Sequence, residues 1–252
     1  MKTALLIAAN LMRELFRKKD LYVLGILLAV FLVYLIKTSY LGVTDISRYV
    51  RELGLGIVFL FSIVIAVPFT ARSLLEEIST KTIYPLLAKP VARWQVLAGK
   101  YLGSVFVSAG AFSMFFLLFI LAGFSKQGAP GLILLLQVYT AAIFMLLVLN
   151  AVTLALSVCC TFSTTITLAY LIYFLMTWFG SSLRELLDKI SPAGLAIYYL
   201  LPHFEFFDLR HRLVHLWEPI PAWVMLFLAA YAVTYSLLLL TVAFLGFKKK
   251  WL

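Results

Sequence analysis

Long apolar runs almost free of charge constrain this chain more than any other feature. About 20 helical residues cross a hydrocarbon layer of roughly 30 Å. Runs of that kind occur at about Leu21 to Ile36, Leu53 to Ala71, Tyr101 to Phe124, Leu132 to Val158, Phe162 to Leu183 and Ala222 to Phe247. With 64% of its 252 residues hydrophobic, the chain carries more apolar surface than a soluble core can hide. The expected fold is therefore an all-α membrane protein with six transmembrane helices and connections mostly too short for a further soluble domain.

Charge sets the expected orientation. An even number of spans puts both termini on one side, and Lys and Arg near span ends are retained in the cytoplasm. With both termini inside, the inner segments hold thirteen basic residues against Glu14, Asp20, Glu76 and Glu77, a net +9, while the outer segments hold eight against seven. The excess flanks spans at the face that meets anionic lipid, which favours membrane lipid as the partner and disfavours nucleic acid. The expected location is a bacterial-type inner membrane, multi-pass, with both termini cytoplasmic. Ahead of the first span, Leu5, Ala8, Met12, Leu15 and Phe16 recur at helical spacing among Arg13, Arg17 and Lys18, which predicts an interfacial amphipathic helix over 1–20. The adjacent Cys159 and Cys160 are too close in sequence for an unstrained disulfide and lack further metal ligands, so they are expected as small buried side chains.

The longest inner loop, 72–100, has an internal order. Arg72 to Ile78 continues the second span as helix, Ser79 or Thr80 can cap a new short helix, and Pro90 ends that helix and can open the next. A short cross-helix tied at both ends to spans is a lever able to carry rigid-body motion of a cytosolic partner into the membrane; an ordinary basic loop held at the headgroups has the same composition. The residues here are an acidic pair, Glu76 and Glu77, then Thr82, Leu86, Leu87, Pro90 and Arg93, then Gly99 and Lys100 entering the third span. This run resembles the signature of ABC-2 type permeases, with Lys81 standing where the family commonly has glycine. Arg13, Glu14, Leu15 and Arg17 match the family's N-terminal segment, as do the six spans and the large region before the last.

The resemblance implies one transmembrane domain over 1–252 that pairs with a second copy of the permease or a related permease. It also implies that the cross-helix within 72–100 rests on an ABC ATPase subunit as a coupling helix, with ATP and Mg bound by that partner and no cofactor in this chain. Glu76, Glu77, Thr82, Leu86, Leu87, Pro90 and Arg93 are the expected ATPase-coupling residues.

The chain itself offers no nucleotide loop. A phosphate cradle needs a glycine-rich turn ending in Gly-Lys-Ser or Gly-Lys-Thr, and Gly99-Lys100-Tyr101 lacks both the hydroxyl and the first glycine. Nor do the spans carry ionisable residues away from their ends, which argues against an intramembrane enzyme or an ion-driven carrier. They do carry Asn150 and Thr153, which share a helix face and suit helix packing or a pathway, and Gly99 and Gly103, a small-xxx-small pair that permits close approach.

Between the fifth and sixth spans, 184–221 is too long for a turn and too apolar for a solvated loop. Ala193 to Leu201 is too short to cross and suits a re-entrant or interfacial segment. Phe204, Phe206, Phe207 and Trp217 mixed with Glu205, Asp208, Arg210 and Arg212 suit short external helices at headgroup depth. His203, His211 and His215 fall here, the last two one turn apart, a spacing compatible with a metal but short of a complete ligand set. The function expected is ATP-driven export by a permease whose ATPase is a separate chain; the competing reading is an anchoring or assembly subunit with no pathway of its own.

Overall fold

A computed structural model describes residues 19–37, 46–79, 93–123, 131–190 and 198–250. The expected amphipathic helix lies outside these residues except for its last two positions, and so does most of the coupling segment, at 80–92. The long elements are α1 (Lys19–Lys37), α2 (Ile46–Ser79), α3 (Arg93–Gly123), α4 (Leu132–Cys159), α5 (Phe162–Ile190) and α7 (Ala222–Lys250). A 3-10 turn (Phe204–Phe207) and the short helix α6 (Arg210–His215) lie between α5 and α7. No strand occurs among the described residues.

Among the described residues, five helical stretches are long and apolar enough to cross a membrane: Arg51–Glu76, Trp94–Leu121, Leu132–Cys159, Phe162–Gly180 and Ala222–Phe247. The described apolar part of α1, Tyr22–Tyr34, is shorter. Span starts at Leu132, Phe162 and Ala222 agree with the sequence, because Gly131, Thr161 and Pro221 interrupt the helix just before each. The third apolar stretch starts earlier than expected, at Trp94 instead of Tyr101, so Gly99 and Lys100 lie inside it and not at its mouth; the helix itself begins at Arg93, three residues after Pro90, which was expected to open it. The cysteines also depart from expectation. Helix α4 ends at Cys159, which is exposed, and Cys160 is only half-buried in the tight connection to α5.

Helix α4 is the hub. It packs against α2, α3, α5 and α7, while α1 lies on α2 and α3. The reason is its all-round apolarity: Ala141, Ala142, Leu146, Leu149, Ala151 and Leu154 are buried on several sides, as a helix with partners on every side requires. On α2, Leu55, Val58, Phe59, Ser62, Ile63 and Ala66 recur at steps of three and four and are all buried. Phe112, Phe115 and Phe119 of α3 fill the space opposite, with Phe59 edge-on to Phe112 at 5.5 Å and 85°, the arrangement that ring quadrupoles favour. Pro68 lies inside α2. It deprives the Val64 carbonyl of its helical donor, and the Tyr170 hydroxyl of α5 donates to that oxygen over a long 3.4 Å.

Two glycines set the spacing of α1, α2 and α3 and separate two kinds of tolerance. A Cβ on Gly54 would sit 2.9 and 3.0 Å from the Phe119 ring and 3.1 Å from Leu32, all three pressed by buried side chains. One on Gly25 would meet the end methyl of Met114 at 2.7 Å, which can swing away. Helix propensity favours alanine by about 1 kcal/mol at both sites, whereas overpacking costs about 1–3 kcal/mol. Gly54→Ala is therefore expected to lower thermal stability in detergent and Gly25→Ala to leave it unchanged or raise it.

Candidate functional site

The helices define two ends of the bundle. The cap end holds the N-termini of α2, α4 and α7 together with the 3-10 turn and α6; the loop end holds the C-terminus of α2 and the start of α3, which flank 80–92. At 34 residues, α2 is about 51 Å long at 1.5 Å per residue, so it overruns a hydrocarbon layer of roughly 30 Å. Its overrun at the loop end carries Arg72 and Glu76, both exposed, with the Arg72 guanidinium 5.7 Å over the Phe162 ring of α5. Glu77 lies in the same last turns of α2, and Arg93 opens α3. Thr82, Leu86, Leu87 and Pro90 lie outside the described residues.

Behind these flanks sits a separate small core of Leu74 from α2, Leu97 and Tyr101 from α3, Ala151, Leu154 and Val158 from α4, and Ala243 and Phe247 from α7. Gly99 and Gly103 of α3 are buried beside it, and the Tyr101 hydroxyl donates to the Leu147 carbonyl of α4 at 3.2 Å. A displacement of the α2 and α3 ends would therefore reach α4 and α7 through packed side chains.

Nearer the middle, Asn150 ties three helices together. Its Nδ2 donates to Ser108 Oγ of α3 at 2.7 Å, and its Oδ1 accepts from Thr70 Oγ1 of α2 at 2.8 Å. All three residues are fully buried. The single Thr70 hydroxyl hydrogen is shared between Asn150 Oδ1 and the Ala66 carbonyl of its own helix, while Ser108 accepts from Asn150 and donates to the Val105 carbonyl. Thr153 shares the buried face of α4 but donates only to the Leu149 carbonyl, 2.8 Å away on its own helix. Asn150 is thus an interhelical bond-maker, and Thr153 is satisfied locally. Thr70 and Ser108 were not singled out from the sequence; hydroxyls in apolar runs were the available signal, but their pairing spans 80 and 42 residues.

At the cap end, the 3-10 turn and α6 pack over α2, α4 and α5. Asp208 and Arg210 form a two-pronged pair at 2.8 and 2.5 Å, Asp208 also accepts the Arg210 backbone N–H at 3.2 Å, and the Arg210 guanidinium lies 5.1 Å over the Phe59 ring. Burial alone would raise the Asp208 carboxyl, but the hydrogen bonds and charge of Arg210 outweigh it and hold the group below the usual carboxylate range. Gln137 of α4 clamps the chain ahead of α7, donating to the Ile220 carbonyl at 2.6 Å and accepting its N–H at 2.8 Å. Glu205 accepts from the Tyr198 hydroxyl at 3.2 Å and lies against bare Gly180 of α5, where a Cβ would come within 2.7 Å of its carboxylate.

The three histidines do not converge. His203 is buried against Tyr198 and Phe206, ring centroids 4.6 and 5.3 Å away; burial pushes its imidazole down, with Glu205 opposing. His211 is exposed, and His215 stacks on Trp217 at 5.3 Å with its Nε2 3.3 Å from Arg48. No group of three or more His, Cys, Asp or Glu residues is placed to hold a metal among the described residues.

The bundle of long apolar helices, with α2 overrunning it at one end, agrees with the comparison to known families: residues 5–251 match the ABC-2 family transporter protein family. The chain belongs to the ABC-2 transporter family. It is a multi-pass membrane protein of the permease type, and permeases of this family are membrane components of transporters, not enzymes, that normally work with an ABC ATPase. No curated protein matches this ABC-2 chain significantly.

Proposed function

We propose that this ABC-2 protein is the permease subunit of an ATP-driven exporter, with ATP and Mg bound by a separate ATPase chain and a second permease copy, identical or related, completing the pathway. In this reading α1 is the sixth span, the loop end faces the cytoplasm with both termini, and the cap end closes the outer mouth in a bacterial inner membrane. The observation that carries it is the overrun of α2 at the loop end. A helix that leaves the bilayer with Glu76 exposed, followed by a thirteen-residue link to α3, presents the 80–92 segment to a cytosolic partner.

Thr82, Leu86, Leu87 and Pro90 would form the contact, with Glu76, Glu77 and Arg93 positioning it. The core of Leu74, Leu97, Tyr101 and Phe247 then transmits its motion to α4 and α7 as a rigid-body shift. Copurification from native membranes in mild detergent, with crosslinker, tests the partnership: a stoichiometric ATPase is expected, and its repeated absence would favour an anchoring subunit. In reconstituted vesicles, Glu76→Ala/Glu77→Ala is expected to leave ATP hydrolysis by the complex running while transport falls at least tenfold; undiminished transport in that variant would remove these residues from the coupling role.

A further inference from the structure

Arg51 occupies the cap-end limit of the buried stripe on α2, one helical turn before Leu55 and one turn after Arg48. It retains only 9% of its exposure, its Nε has no hydrogen-bond partner, and no carboxylate among the described residues pairs with it. A largely buried guanidinium with one unpartnered N–H and no counter-charge among the described residues is stabilised by an anion held at its accessible edge. The neighbourhood is cationic. Arg48 reaches His215 of α6 at 3.3 Å, His215 stacks on Trp217 at 5.3 Å, and Arg212 lies 5.8 Å over the same indole.

Among the described residues, the nearest acids do not neutralise this cluster. Asp208 is engaged by Arg210, Glu52 points outward on α2, and Glu218 meets Arg212 only through its backbone carbonyl, 3.1 Å away. We propose that Arg51, with Arg48 and Arg212, forms a binding site for a phosphate-type oxyanion between the N-terminal end of α2 and α6. The planar fork of arginine suits a phosphate held by two parallel N–H bonds. Trp217 and Trp223 are exposed at this end of the bundle, and exposed tryptophan marks headgroup depth. The source favoured is the headgroup of an anionic phospholipid; a free phosphate in solution has the same chemistry.

The test compares delipidated, detergent-purified full-length protein with Arg51→Met. Each is titrated with phosphatidylglycerol in mixed micelles, with a phosphate-free glycolipid and with inorganic phosphate, while thermal midpoints and bound phospholipid are measured, the latter by native mass spectrometry. Without added anion the methionine variant should melt higher, because a buried unpaired charge has gone. With phosphatidylglycerol the order should reverse, and the variant should bind it roughly tenfold more weakly; the glycolipid should cause no reversal. Reversal by phosphate alone would keep the site and assign it to a soluble anion. Equal midpoint gains and equal phospholipid retention in the two proteins would overturn the proposal. Arg51→Lys, which keeps the charge but not the fork, should fall between them, so loss of binding cannot be put down to misfolding of the methionine variant.

Discussion

Asp208→Ala destabilises the protein by about 2–3 kcal/mol, read as a lowered thermal midpoint in detergent. The substitution leaves Arg210 only 23% exposed and without its carboxylate, and stranding one member of a fully buried pair costs about 3–5 kcal/mol. Partial access to water at both side chains reduces that figure, while loss of the bond to the Arg210 backbone N–H at the start of α6 adds to it. The double variant Asp208→Ala/Arg210→Met should recover more than half of the loss, since it removes the charge that was stranded. A double-mutant cycle isolates the pair from the packing of Arg210 on Phe59. Acid should act on the same cap in two stages. His203 is held below its ordinary value, so the stability it contributes is complete above about pH 6.5 and is lost as pH falls from there toward its folded value. Asp208, also held down, contributes stability that is complete above about pH 3.9 and is lost only below it. Unfolding midpoints that rise on acidification from pH 7 to 5 would contradict the burial of a neutral His203.

Asn150→Ala is the second large effect, at about 2–3 kcal/mol. The side chain bonds two other helices at once, and interhelical hydrogen bonds in membrane proteins average about 0.6 kcal/mol with a maximum near 1.7. The rest comes from the cavity left in a fully packed place, since truncating a buried side chain adds a void term to the lost contacts. The cost is bounded because Thr70 and Ser108 keep carbonyl partners on their own helices, so no donor is left stranded. Thr70→Val removes a single interhelical bond at nearly constant volume and should cost about 1 kcal/mol or less. If Thr70→Val proves as damaging as Asn150→Ala, the junction is not centred on the amide.

The all-helical architecture was legible because lipid imposes a length and a composition on every span, and the family because of the run from Glu76 to Lys100. Leu132, Phe162 and Ala222 could be placed to the residue, since glycine, threonine and proline punctuate the chain there. The start of the third span could not. Trp94, Gln95 and Lys100 look like a loop by polarity, yet Val96, Leu97 and Tyr101 bury against Leu74 and Leu154 and carry the helix back to Arg93. Cys159 and Cys160 looked like core residues because their neighbours are apolar, but a helix end exposes whatever stands at it.

The sequence alone determined that this chain is a helical membrane protein, where its long apolar runs lie, and that a short run of charge, leucine and proline separates the second and third of them at 72–100. Only the tertiary structure decided what the isolated polar residues do. Asn150 finds Thr70 and Ser108, 80 and 42 positions away, and Arg210, already paired locally with Asp208, finds the Phe59 ring, because each of these contacts between helices depends on their rotation and depth. Apolar length is a local property that each span carries by itself; a polar partner across helices is fixed only when the packing of the whole bundle sets which faces meet.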